Sequence, residues 1–82
     1  MKITLKLYGG LKKYLPENTP KNEAVIEIGE NVDVEDVLNN YGVPKDQRQI
    51  VMVNGVHILP DERPKKVLSQ SNSLAVWPPS TG

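Results

Sequence analysis

Asn54-Gly55 constrains the fold of this chain more than any other pair of residues. Asn-Gly is the preferred dipeptide for a tight turn with both central residues at positive φ, whose twist matches two flanking antiparallel strands. Such a turn sets the register beside it: Val53 pairs with Val56, Met52 with His57, Val51 with Ile58, and Ile50 with Leu59. Directly opposed residues share a face of the sheet. Val51, Val53, Val56 and Ile58 therefore form one face, and Ile50, Met52, His57 and Leu59 the other. The second face holds the only histidine, so the first is expected to meet the core.

The flanking segments supply partners for this hairpin. In residues 2–8, Ile3, Leu5 and Leu7 alternate with Lys2, Thr4, Lys6 and Tyr8, the period of a half-buried strand. Gly9-Gly10 ends it as a turn. Leu11, Tyr14 and Leu15 then recur at helical spacing until Pro16, which predicts a short helix, and residues 16–22 are loop chemistry. Ala24, Ile26 and Ile28 alternate with Glu23, Val25 and Glu27 in a second strand stopped by Gly29. A helix is predicted over about 33–41. Asp33 is its N-cap, and Asp36 completes a weak capping box. Val32 and Val37 stand where a hydrophobic staple forms, and Val34, Val37, Leu38 and Tyr41 make one apolar stripe. Gly42 and Pro44 stop the helix. Residues 60–66 read as a polar connection, Val67-Leu68 as a return to the core, and 73–77 as a last strand. This order predicts an α+β roll: a mixed four- to five-stranded sheet with one main helix packed on one face. The first and last strands are expected to be parallel neighbours, so the C-terminus leaves from the middle of the sheet.

Length and charge narrow the function. The chain has 82 residues, which predicts a single domain, 1–82. Its 10 basic and 10 acidic residues cancel, which removes the electrostatic case for nucleic acid or an anionic membrane as main partner. No apolar run approaches the roughly 18 residues of a bilayer span, and the N-terminus lacks the apolar block of a signal peptide. There are no cysteines, hence no disulfide framework and no thiolate site, which suits the cytoplasm. No catalytic constellation is visible. The lone His57 lacks companions for a metal site, so no metal is expected. Asp61-Glu62-Arg63 and Lys65-Lys66 read as a solvated loop.

The C-terminus carries the chemistry. Strand residues Ser73-Leu74-Ala75-Val76-Trp77 run straight into Pro78-Pro79-Ser80-Thr81-Gly82. Residues 78–82 are expected to form a flexible tail, stiffened at its base by the prolines, whose only reactive group is a free carboxylate. At about 3.3–3.6 Å per residue, that tail reaches on the order of 10 Å beyond the fold, enough to enter a partner's cleft. The competing reading is a frayed end without function. On the sheet's open side, Ile50, Met52, Leu59, Ala75 and Trp77 are expected to point outward. Contiguous exposed apolar surface marks a partner site, and Trp and Met are enriched in interface cores.

The element order and the tail together resemble the MoaD/ThiS sulfur-carrier proteins, which have the ubiquitin-like β-grasp fold. The resemblance covers nearly the whole chain. It rests on Lys6-Leu7-Tyr8-Gly9 at the end of the first strand, the helix at 33–41, Val53-Asn54-Gly55 in the hairpin, and Val76-Trp77-Pro78-Pro79 before a terminal glycine. The long 10–22 segment is more similar to the MoaD side, the small subunit of molybdopterin synthase, than to the thiamine-pathway carriers. The resemblance implies a carrier and not an enzyme, monomeric when free and binding no cofactor of its own. An E1-like partner would use ATP to adenylylate the Gly82 carboxylate, sulfur transfer would make a thiocarboxylate, and a large synthase subunit or another sulfur-accepting enzyme would receive the sulfur. Molybdopterin or tungstopterin synthesis is favoured over thiamine. Two departures stand out: Thr81 occupies the place of the family's penultimate glycine, and Ser71-Asn72-Ser73 replaces its Gly-Asp pair. Three alternatives stay open: a native chain one glycine longer, a diverged carrier with its own activating enzyme, and a non-conjugating ubiquitin-like module that binds proteins through the open sheet face.

Overall fold

The structure is a computed structural model that describes residues 1–80. Its strands are β1 (Lys2–Leu7), β2 (Glu23–Glu27), β3 (Ile50–Val53), β4 (Val56–His57) and β5 (Ser73–Trp77), and its helix is α1 (Val34–Asn40). The sheet order is β2-β1-β5-β3-β4. β1 and β5 are parallel, with Leu5 beside Leu74 and Leu7 beside Val76. The other pairings are antiparallel. The last strand is therefore central, bonded on both sides, as the sequence predicts.

The alternation in each strand explains the core. Ile3, Leu5, Leu7, Ile26, Val51, Val53, Leu74 and Val76 are buried on one face, where Val34, Val37 and Leu38 of α1 complete the cluster. The capping box forms in full: Asp36 N–H donates to Asp33 Oδ1 at 2.8 Å, and Asp33 N–H to Asp36 Oδ2 at 3.0 Å. Gly42, at φ +76°, ends the helix in the left-handed region. The segment after β1 is a 3₁₀ helix, Gly9–Tyr14, which buries Leu11.

The hairpin turns at Asn54 (φ +50°) and Gly55 (φ +81°) in the expected register. Asn54 has a second task there. Its Oδ1 accepts from Ser73 N–H at 2.7 Å and its own N–H donates to Ser73 O at 2.9 Å, which ties the turn to the start of β5.

Three expectations are corrected. Val56 is 63% exposed, although it pairs with buried Val53. β4 is a two-residue edge strand, and its inward position at the hairpin tip has a neighbouring strand on one side only. Of Val67-Leu68, only Leu68 returns to the core, because the bridge from Asp33 to Val67 turns Val67 outward. The connection after Leu59 is a 3₁₀ helix, Pro60–Lys65, and Arg63 inside it is buried instead of solvated.

Candidate functional site

The end of β5 and the start of the tail line an open groove of about 580 Å³, formed by Gln49, Ile50, Met52, Trp77, Pro78, Pro79 and Ser80. β3 supplies one wall: Ile50 is the register partner of Trp77, and Gln49 N–H donates to Trp77 O at 3.0 Å. Tyr8, the residue after β1, supplies the support behind the other. Tyr8 N–H donates to Val76 O at 3.1 Å, and the Tyr8 ring stacks on the Trp77 indole at 4.8 Å between centroids and 14° between planes. Aromatic pairs prefer centroid distances of about 4.5–7 Å, so this contact is a favourable one that supports the indole from behind. The lining is mostly apolar and, among the described residues, carries no charged side chain. An apolar lining of this kind, with Trp and Met in it, has the composition of an interface core.

Of the outward residues expected at the partner surface, Ile50, Met52 and Trp77 come together here, with Pro78, Pro79 and Ser80 of the tail. Two do not. Ala75 lies on the outer face between Lys6 and Met52, yet it is only 8% exposed. A methyl group on a central strand is shorter than its long neighbours, so they cover it. Leu59 is 50% exposed but lies outside the groove, because β4 ends at His57 and Leu59 caps the following 3₁₀ helix by donating its N–H to Glu62 Oε1 at 2.9 Å. Thr81 and Gly82, the tail residues expected to carry the reactive end, lie outside the described residues. His57 is exposed beside Met52, and no group of three or more His, Cys, Asp or Glu side chains forms a metal cluster among the described residues.

The sequence reading missed Gln49 and the supporting role of Tyr8. Tyr8 was recoverable: it shares the outward parity of Lys2, Thr4 and Lys6, and a parallel β1–β5 pair sets that parity beside Trp77. Gln49 carries no such signal.

A family model described as Mut7-C ubiquitin matches residues 1–81. The chain belongs to the Mut7-C ubiquitin family. Two solved structures share its fold. SAMP1 from Haloferax volcanii superposes with a TM-score of 0.68 at 14% identity, covering 100% of this chain and 99% of that one. A putative molybdopterin converting factor, subunit 1, from Pyrococcus furiosus superposes with a TM-score of 0.68 at 17% identity, covering 95% and 97%. The ubiquitin-like β-grasp fold is therefore shown, and the resemblance to the MoaD side holds in the fold. No match was found among curated protein sequences.

Proposed function

We propose that this Mut7-C ubiquitin family member is a sulfur carrier whose C-terminal carboxylate is the activated group. The observation that carries the reading is continuity: the apolar groove of Ile50, Met52 and Trp77 runs directly into Pro78-Pro79-Ser80. A partner docked on the groove is thereby brought to the tail. The likeness in fold to a putative molybdopterin converting factor subunit supports it further.

The chemistry belongs to partners. An E1-like enzyme binds the groove and presents ATP. A carboxylate oxygen of Gly82 attacks the α-phosphorus, pyrophosphate leaves, and an acyl adenylate results. Sulfide-level sulfur from the partner then attacks the carbonyl carbon, AMP leaves, and a thiocarboxylate remains. A large synthase subunit or another sulfur-accepting enzyme, of the molybdopterin or tungstopterin type, takes the sulfur. The chain contributes a docking face and a reactive end, binds no cofactor of its own, and works in the cytoplasm. Glycine lacks a Cβ, which lets the end enter a narrow channel. Pro78 and Pro79 keep the exit extended at low entropic cost.

A second reading has its own observation. Thr81 fills the place of the carriers' penultimate glycine. This favours a non-conjugating module that docks through the same groove.

Intact-mass analysis of the native protein, with ATP–pyrophosphate exchange by its host's activating enzyme, separates the two. A carrier shows a thiocarboxylate or a covalent adduct, loses adenylylation when Gly82 is deleted, and gains slightly or not at all from Thr81→Gly. If deletion of Gly82 leaves adenylylation at the parent level, the carrier reading fails and the docking module stands.

A further inference from the structure

Two prolines follow β5, and neither has an N–H to donate to a neighbouring strand. The last bonds that hold the chain to the sheet before them are Tyr8 N–H to Val76 O at 3.1 Å and Gln49 N–H to Trp77 O at 3.0 Å. Past Trp77, Pro78 and Pro79 donate nothing to the sheet, and no backbone N–H donates to their carbonyls among the described residues, so packing bears on the direction of the arm. One such packing contact lies at Gly9. Gly9 adopts φ +55°, and a β-carbon built on it would stand 3.0 Å from Pro78 Cγ and 3.5 Å from Pro78 Cδ, with nothing else within 4 Å among the described residues beyond its chain neighbours and its own helix backbone. Gly42 and Gly55 also have positive φ, but a β-carbon there meets nothing within 4 Å. Those two glycines serve a turn. Gly9 serves a turn and a close approach.

We propose that Tyr8 and Gly9 form a seat that aims the C-terminal arm: Tyr8 holds Trp77 by stacking, and the bare α-carbon of Gly9 lets the Pro78 ring settle against it. They are positioning residues, and their consequence for activation rests on the carrier reading above. Carbon contacts are most favourable at about 3.5–4.0 Å, so a side chain at position 9 pushes the Pro78 ring away by about half an ångström. That ring contains the backbone nitrogen, so the push tilts the arm at its root. Each later residue extends the lever by about 3.3–3.6 Å. Misplacement of about 1 Å at a reacting centre costs on the order of 100-fold in rate, so the aim of the arm bears directly on adenylylation.

The test uses the full chain with Gly9→Ala, Gly9→D-Ala, Pro78→Ala and the double variant Gly9→Ala with Pro78→Ala. D-Ala favours positive φ and carries its methyl on the other face of the α-carbon. Alanine at 78 lacks both Cγ and Cδ. Two quantities are read: NMR geometry of the arm (the Gly9 Hα to Pro78 Hγ Overhauser contact and residual dipolar couplings at Pro79 and Ser80), and kcat/KM for adenylylation by the host's activating enzyme. The parent is expected to show the contact. Gly9→Ala is expected to shift the couplings and lower kcat/KM about tenfold. D-Ala should preserve both, and Pro78→Ala should remove most of the penalty of Ala at 9. A glycine needed only for its turn behaves differently, losing equally with and without the Pro78 ring. That equality, unchanged couplings in Gly9→Ala, or no contact in the parent overturns the seat. Where Gly9→Ala does not fold, Pro78→Ala is read against the parent instead: shifted couplings at Pro79 and Ser80 support the seat, and unchanged couplings overturn it. A parent with the contact that is never adenylylated supports the seat and sinks the carrier reading alone.

Discussion

Arg63 Nη1 donates a hydrogen bond to the backbone oxygen of Arg48 at 3.2 Å, which brings two buried guanidinium groups into one network. Each residue is 7% exposed. Arg63 Nε also donates to Ile58 O at 3.2 Å, while Arg48 Nη2 reaches Asn39 Oδ1 at 2.9 Å and Arg48 Nε reaches Val43 O at 3.1 Å. Burial pushes both guanidinium groups below their ordinary range. Glu35 pulls each back, and Arg63 adds to the downward push on Arg48. The network ties the end of the hairpin to the loop after α1 by satisfying carbonyls that no strand reaches.

Arg63→Met tests that tie. It keeps much of the apolar stem but leaves Ile58 O and Arg48 O without this donor. An unsatisfied buried acceptor costs about 1–3 kcal/mol, so urea denaturation should show a loss in that range. A loss near zero shows that water takes over both carbonyls.

Leu38→Ala tests the helix–sheet core. Leu38 is fully buried on α1, and truncating a buried leucine typically costs about 2–5 kcal/mol. Denaturant melts that show less than about 1 kcal/mol would mean the sheet closes over the cavity.

Asp33→Ala removes the acceptor for Asp36 N–H at the start of α1. Loss of such a cap costs about 1 kcal/mol. Hydrogen exchange should speed up first at Asp36, ahead of amides near the middle of β5.

Trp77→Ala should act on both binding and stability. The indole is half-buried against Tyr8, and a stacked aromatic pair is worth about 0.5–1.5 kcal/mol beyond its buried area. Loss of a central interface tryptophan often costs about 2 kcal/mol or more in binding. Titration calorimetry with the activating enzyme proposed above should show the larger effect on binding. A binding change smaller than the stability change moves the docking site away from the groove.

Local sequence determined what local physics controls. Asn54-Gly55 set the hairpin register because the turn requires positive φ at both positions. Asp33 and Asp36 marked the helix start because their side chains satisfy amides within the same turn. The alternation of Ile3, Leu5 and Leu7 named the core face of β1, since successive side chains must point to opposite sides. Ile50, Met52 and Trp77 were legible as an outward apolar group for the same reason.

Tertiary structure decided what depends on distant neighbours. Val56 has the parity of a core residue but lies at the tip of an edge strand, and Ala75 has the parity of a surface residue but is covered by longer side chains on both flanking strands. Arg63 reads as a loop charge until the fold brings the carbonyls of Ile58 and Arg48 within reach of its guanidinium. The meeting of Gly9 with Pro78 joins residues at opposite ends of the chain through the parallel β1–β5 pair. Periodicity reports which way a side chain points from its own strand. Only the assembled sheet determines what that side chain meets.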